Sequence, residues 1–227
     1  MLTPLQRRIA AIIGGLPEAE QFALAGGGAL IARGDVERQT RDLDFFGPAP
    51  QDVNRLMPAV EKALQDAGMN VSRIREAPGF VRLEVREHDE VTEVDLGADA
   101  RILPVERGEL GPILAGEELA VDKVLAVFGR AEARDFVDLS AVADRYGLEY
   151  LCERALDKDR GFDPQVFREM LDRFDRLPRD EFDVPNRGFE RLVAIIEEWR
   201  GLVQDLTVER LERGEHRNRD DDHGLGL

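Results

Sequence analysis

Long apolar runs and cysteines are scarce in this 227-residue chain, and each scarcity excludes a class of protein. No run of about 18 apolar residues occurs, so we expect no transmembrane helix. The segment Met1 to Arg8 also lacks the hydrophobic stretch and the small-residue cleavage site of a secretory signal. Cys152 is the only cysteine, which excludes an internal disulfide and a thiolate zinc site. We therefore expect a cytoplasmic protein.

Histidines and positive charges are also few. The three histidines, His88, His216 and His223, are scattered along the chain, which disfavours a histidine-based hydrolase or metal centre. With 47 acidic and 31 basic residues the net charge is −16, and this works against general nucleic-acid binding. The arginines are nevertheless uneven enough to form a local basic track. They cluster at Arg33, Arg38 and Arg41, and again at Arg73, Arg75, Arg82 and Arg86.

The hydrophobic periodicity divides the chain into two halves. The first hundred residues alternate between helical spacing and the period of two that is typical of strands, as in Phe80 to Arg86. From Gly116 onward the period is helical. We therefore predict an α/β (α+β) fold: a domain with a small mixed sheet over residues 1–110, a helical domain over 111–213, and a disordered tail over 214–227.

The Asp42-Leu43-Asp44 segment is the most informative feature of the chain. Residues i and i+2 of a strand point to the same face, so the two aspartates lie together while Leu43 enters the core. At ~4 Å, two carboxylates repel each other by about 4 kcal/mol at an effective dielectric of 20. A compact fold tolerates this pair if it is solvated, shares a proton or holds a cation.

Three consecutive glycines, Gly26, Gly27 and Gly28, end the short strand that precedes this pair. A glycine-rich turn that opens a helix presents backbone N–H groups to phosphate. A tight strand-to-helix turn explains three glycines equally well. A dinucleotide-binding fold is disfavoured because the third glycine of its fingerprint is missing, and the Walker lysine motif is absent.

The order of four motifs resembles the AbiEii/MenT nucleotidyltransferase toxins, the toxin halves of bacterial toxin–antitoxin pairs. The similarity covers roughly residues 20–145. It implies a nucleotidyltransferase that uses a nucleoside triphosphate (NTP), adds nucleotides to a tRNA 3′ end, and has a cognate antitoxin. The four segments are Gly27-Gly28-Ala29-Leu30, Arg38 to Phe45, Glu118 to Lys123, and Arg134 to Leu139.

The resemblance also implies a Mg²⁺ site built by Asp42, Asp44 and a third carboxylate, Asp95. Oxygen ligands suit Mg²⁺, which clamps the attacking and leaving oxygens of a phosphoryl group. Asp95 is also the candidate general base for the acceptor hydroxyl. Without the resemblance, Asp95 is equally well explained as a solvated strand acid like Glu93.

The remaining candidate residues surround the expected triphosphate. The resemblance places Lys123 beside it and makes Asp135 or Asp138 a functional acid, with Asp138 favoured. The alternative for Asp135 is a cap at the helix N-terminus. Gly26, Gly27, Gly28, Thr40 and Arg38 are candidates for binding the nucleotide, although Thr40 and Arg38 are also ordinary loop residues. Relatives often carry a hydroxyl residue where this chain has Gly28.

Two other functions fit the sequence. A nucleotidyltransferase that modifies a small molecule, such as a cationic antibiotic, would suit the acidic surface. A catalytically inactive nucleotide-binding module that holds a partner protein is the other alternative. The intact aspartates disfavour it, because an inactive site has no reason to keep repelling carboxylates together.

Overall fold

A computed structural model describes residues 1–222 of the chain, with side chains described to residue 206. It contains two compact units, Met1–Leu119 and a second that begins at Ala120. The division falls inside a helix, whereas the sequence places the boundary near residue 110. The predicted mixed α/β fold is confirmed.

A seven-stranded mixed sheet forms the centre of the first unit, in the order β3-β4-β5-β2-β1-β7-β6. The β2–β5 and β1–β7 pairs are parallel, and the other pairs are antiparallel. The sequence analysis missed β6 and β7, which are only three residues each. The strands are β1 (Ala23–Ala25), β2 (Asp42–Gly47), β3 (Asn70–Ala77), β4 (Phe80–Glu87), β5 (Glu90–Ala98), β6 (Glu106–Gly108) and β7 (Gly111–Ile113).

Three helices accompany this sheet: α1 (Pro4–Gly14), α2 (Gly26–Arg33) and α3 (Pro50–Asp66). Helices α1 and α3 pack their fully buried apolar stripes against the sheet. Leu43 of β2 is fully buried and Phe45 is 2% exposed, so the predicted alternation along β2 is confirmed. The alternate side chains of β2 therefore point away from the core and remain available for a site.

The second unit is helical. Its helices are α4 (Gly116–Gly129, which begins in the first unit), α5 (Ala133–Tyr146), α6 (Leu148–Lys158), α7 (Pro164–Leu171) and α8 (Asn186–Asp222). Four phenylalanine rings form its aromatic centre, with neighbouring ring centroids 4.9 to 5.6 Å apart. They belong to Phe136, Phe174, Phe182 and Phe189. Trp199 is also buried in this unit.

The last helix extends farther than the sequence indicates. We predict a helix that ends near Glu212 and a disordered tail from Gly214, but the structure continues α8 to Asp222. Strongly charged sequence gave the prediction of disorder, and charge alone does not prevent helix formation in a segment without proline. Residues 223–227 of the predicted tail lie outside the described residues. None of the helices in the described part is long and apolar enough to cross a bilayer.

Candidate active site

Strands β2 and β5 place four carboxylates on one face of the sheet. Asp42 is the register partner of Glu93, and Asp44 is the register partner of Asp95. Directly paired residues of neighbouring strands project to the same side. The strand register thus brings the three predicted aspartates together. Asp44 is two residues after Asp42 on β2, and Asp95 is opposite Asp44 on the parallel strand β5.

The glycine turn lies directly against Asp44. Gly26 has a φ of +57°, a left-handed conformation that glycine adopts without strain. A β-carbon added at this position would overlap Oδ2 of Asp44. Glycine is therefore required twice at residue 26, once for the backbone conformation and once for the close approach of the carboxylate.

The other two glycines of the turn have different neighbours. A β-carbon at Gly27 would lie 2.5 Å from Nη2 of Arg38, so the guanidinium packs against the backbone of the turn. A β-carbon at Gly28 would instead meet Cδ2 of Leu43 at 3.1 Å, on the apolar side. Arg38 is thus beside the candidate phosphate cradle, whereas Gly28 faces the core. The hydroxyl residue that relatives often carry there would face an apolar neighbour in this chain.

Thr40 orients the first aspartate of the pair. Its hydroxyl donates a hydrogen bond to Oδ1 of Asp42 at 2.8 Å. Its carbonyl accepts one from Nε2 of Gln6 at 3.0 Å, and Thr92 donates to the carbonyl of Arg41 at 3.0 Å. The segment that leads into β2 is therefore held from α1 and from β5.

Sequence reasoning missed Gln6 and Thr92 as supports of this segment. Gln6 is 2% exposed, and its side-chain oxygen accepts a hydrogen bond from the backbone N–H of Thr3 in a capping box that opens α1. The Thr3-x-x-Gln6 pattern signals such a box. Nothing in the sequence, however, shows that the side-chain amide nitrogen of Gln6 donates hydrogen bonds to the carbonyl of Thr40 and the hydroxyl of Thr92.

Asp95 forms a salt bridge with Arg82 on the neighbouring strand β4. Arg82 Nε lies 2.7 Å from Asp95 Oδ1, and Arg82 Nη2 lies 2.6 Å from Oδ2, so both carboxylate oxygens are engaged. Arg82 Nη1 also lies 3.0 Å from Glu93. The hydrogen bonds to Asp95 raise the pKa of Arg82 and keep it charged.

This pairing bears on the predicted metal ligands. The side chains that the structure describes include no group of three His, Cys, Asp or Glu residues arranged to hold a metal ion. The oxygen donors of Asp42 and Asp44, on one face beside the glycine turn, fit the preference of Mg²⁺ for carboxylate ligands. Asp95 as a third ligand remains a prediction, and its two oxygens already have a guanidinium partner.

The second unit contains the other group of candidate residues, around Lys123. Nζ of Lys123 lies 2.8 Å from Oδ2 of Asp138 and 3.7 Å from Oδ1 of Asp135. The side chains of both aspartates are fully buried, and that of Lys123 is 7% exposed. Lys123 and Asp138 therefore form a close, buried ion pair between α4 and α5.

Asp135 has a different set of partners. Arg130 donates two hydrogen bonds to it, each 2.8 Å long. The backbone N–H of Glu132 donates a third at 3.3 Å, which completes a capping box at the start of α5. The capping role that the sequence left open for Asp135 is thus present in the structure. Asp138 remains the nearer carboxylate to Lys123.

A family model described as "Nucleotidyl transferase AbiEii toxin, Type IV TA system" matches residues 10–216. The chain belongs to the AbiEii nucleotidyltransferase toxin family. The resemblance drawn from the four motifs is confirmed, and the match extends beyond residues 20–145 into the helical unit. The AbiEii assignment makes the protein a nucleotidyltransferase of the toxin–antitoxin type, and the family implies an NTP substrate and an antitoxin partner.

Solved structures share the fold of this AbiEii protein. JHP933 from Helicobacter pylori has a TM-score of 0.55 at 20% identity, over 98% of this chain and all of that one. MenT4, a nucleotidyltransferase toxin from Mycobacterium tuberculosis, has a TM-score of 0.50 at 18% identity, over 86% of this chain and 81% of that one. Among curated proteins, none matches this chain in sequence.

Proposed function

We propose that this protein is a Mg²⁺-dependent toxin that transfers nucleotides from an NTP to the 3′ end of tRNA in the cytoplasm, and so blocks translation. The observation that carries the proposal is the contact between Asp44 and Gly26. This contact puts Asp44 directly against a glycine turn at a helix N-terminus, a position that favours phosphate binding. A candidate metal ligand and a candidate phosphate site are thus neighbours, which supports the proposal.

The proposed reaction is an in-line displacement. The acceptor 3′-oxygen forms a bond to the α-phosphorus, the bond from that phosphorus to the bridging oxygen of pyrophosphate breaks, and the hydroxyl proton is released. Asp42 and Asp44 would hold Mg²⁺. When bound, the ion neutralises phosphate charge and acidifies the attacking hydroxyl.

Other residues of the chain would bind and orient the nucleotide. The backbone N–H groups of Gly26, Gly27 and Gly28 would donate to phosphate oxygens, and Arg38 beside Gly27 would add positive charge. Thr40 would keep Asp42 in its orientation through the 2.8 Å hydrogen bond. The role of Lys123 as the cation beside the triphosphate, with Asp138 fixing its amine, stays a prediction from the family.

Transfer of label tests the proposal. Purified protein is incubated with each of the four labelled NTPs, Mg²⁺ and total RNA, with Asp44→Ala as the inactive control. We expect label in tRNA with wild type and none with the variant, together with growth arrest only on expression of wild type. Label in neither RNA nor protein, with equal growth of both strains, would contradict the toxin proposal.

Small-molecule modification is the second candidate, favoured by the net charge of −16, which attracts cationic acceptors. It predicts drug resistance on expression without growth arrest, and label transfer to an aminoglycoside instead of RNA. NTP binding without transfer to any acceptor would instead indicate an inactive nucleotide-binding module that holds a partner.

A further inference from the structure

A single row of register partners crosses five strands of the sheet, and its charged residues change from acidic to basic along the row. The partners are, in order, Ala25, Asp44, Asp95, Arg82 and Arg75. Because directly paired residues share a face, the glycine turn after Ala25 is at one end and two arginines are at the other. The two carboxylates separate the glycine turn from the arginines.

Arg82 is held in a fixed orientation at the surface. Its two hydrogen bonds to Asp95 are a bidentate pair, which fixes the plane of the guanidinium. The Asp95 side chain is only 7% exposed, whereas that of Arg82 is 32% exposed. The buried carboxylate therefore anchors an arginine that still reaches solvent. Nη1 of Arg82 also lies 3.0 Å from Glu93, so one N–H on each terminal nitrogen is left to donate to a further anion.

Arg75 stands beside Arg82 on the edge strand β3 and is exposed. Its guanidinium lies 5.6 Å from the centre of the Phe80 ring. Among the described side chains, no carboxylate pairs with Arg75. A phosphate between Arg75 and Arg82 would accept charge-assisted hydrogen bonds from both guanidinium groups.

The position of the two arginines relative to the glycine turn favours contact with the acceptor and not with the NTP. Arg82 is two strands away from Asp44, about 10 Å, on the side opposite Gly26. In an in-line transfer, the acceptor approaches opposite the departing pyrophosphate. An NTP held by the glycine turn therefore leaves the arginine end of the row to the acceptor.

We propose that Arg82 and Arg75 bind a backbone phosphate near the 3′ end of the acceptor, with Asp95 acting as the anchor that positions Arg82. The inference rests on the proposed function and narrows it. A phosphate-binding pair on the acceptor side selects a polynucleotide and rejects a cationic small molecule. It would also give a chain with a net charge of −16 two specific donors for an RNA phosphate.

RNA binding with a neutralised linkage tests the proposal directly. The probes are a short fluorescent RNA that ends in CCA and the same RNA with an uncharged methylphosphonate placed in turn at each linkage of that end. Fluorescence anisotropy should show about tenfold weaker binding of wild type at one linkage. Arg82→Gln and Arg75→Gln should each reduce or abolish that difference.

Salt dependence gives an independent readout from the same titrations. Each lost phosphate contact should lower the slope of log affinity against log salt by about 0.7 for a single strand. Arg86→Gln is the matched control, since Arg86 is on the same strand and face and pairs with Glu84 at 3.1 Å. The control should keep the wild-type slope and linkage effect. Equal affinity of the wild-type protein for the unmodified RNA and for every methylphosphonate probe would overturn the proposal.

The anchoring role of Asp95 has its own test. Asp95→Asn should weaken RNA binding as Arg82→Gln does. If Asp95 is the anchor instead of the third metal ligand that the family resemblance implies, Mn²⁺ binding, followed by electron paramagnetic resonance, stays at the wild-type value. Loss of Mn²⁺ binding in Asp95→Asn, equal to that in Asp44→Asn, would make Asp95 a metal ligand and overturn the anchor. Arg75→Gln keeps the test valid if Arg82→Gln fails to fold, because Arg75 is exposed.

Transfer kinetics separate this inference from the proposed function. In Arg75→Gln and Arg82→Gln we expect a higher KM for RNA, with the KM for NTP and the kcat at saturating RNA unchanged. A raised KM for NTP would place the arginines at the nucleotide and contradict the inference. If wild type shows the linkage effect but transfers no label, the transferase reaction fails while the phosphate contact stands.

Discussion

The carboxylates of the first unit and the lysine cluster of the second differ in how their charges are compensated. Asp42 and Asp44 are partly exposed on a sheet face, beside bare glycine backbone. In the second unit, buried Lys123 forms an ion pair with buried Asp138, and buried Asp135 pairs with Arg130. The sheet site thus keeps charge exposed to solvent, whereas the charges of the helical cluster are paired inside the protein.

The largest effect we expect is on activity at the sheet face. Asp44→Asn keeps the side-chain volume but removes a charge that would bind Mg²⁺, so nucleotide transfer should fall by at least about a thousandfold. Because Asp44 is partly exposed, the free energy of unfolding should change little. The measurement is single-turnover label transfer, paired with urea unfolding. Glu84→Gln, on the same face, as the register partner of Glu93, serves as the control and should retain most activity.

The helical cluster should show a large change in stability. Asp138→Asn leaves the Lys123 ammonium buried without its nearest carboxylate, and breaking a buried pair costs about 3–5 kcal/mol. Urea unfolding followed by circular dichroism should report a loss of that size. A stability change as small as that of Asp44→Asn would remove the contrast between the two regions.

Gly26→Ala tests how closely the turn and Asp44 fit. The added β-carbon would overlap the carboxylate, and the φ of +57° is strained for alanine. A left-handed residue costs about 1–2 kcal/mol without glycine, so we expect a modest loss of stability. The displaced carboxylate should lower transfer by about a hundredfold. Gly34→Ala, also at positive φ but with no atom near its added carbon, is the matched control and should lose stability only.

Cys152 gives the smallest effect and reports on the second unit alone. Burial, with smaller contributions from Glu149 and Glu153, raises the pKa of its thiol to about 12. The thiolate is the reactive form, so native protein should react with a thiol reagent far more slowly at pH 8 than unfolded protein. Asp138→Asn should accelerate this reaction through local opening, and Asp44→Asn should not. Equal rates in both variants would show that the helical cluster does not stabilise α6.

Much of the sheet site follows from the sequence because strand geometry is simple. The period of two placed Asp42 and Asp44 on one face, and the matching alternation in β5 placed Asp95 and Glu93 on the outer face. The helical second half was equally predictable, because its apolar residues keep a helical period from Gly116 onward. The extra strands β6 and β7 were not, because three residues carry too little pattern to identify a strand.

The partners of the site residues could not be predicted in the same way. The Arg82–Asp95 pair depends on the register between β4 and β5, and the Gln6–Thr40 hydrogen bond joins residues 34 positions apart. Such contacts depend on tertiary packing. The capping role of Asp135 likewise could not be chosen from the sequence. It depends on contacts of its carboxylate with Arg130 and with the backbone of Glu132, which form only in the folded chain.

The most direct test of the central claim is the position of metal and nucleotide in a crystal of the protein with Mn²⁺ and a non-hydrolysable NTP. We predict an anomalous peak on the carboxylates of Asp42 and Asp44, with the triphosphate against the backbone of Gly26 and Gly27. A triphosphate bound away from the glycine turn, with no metal on either aspartate, would contradict it.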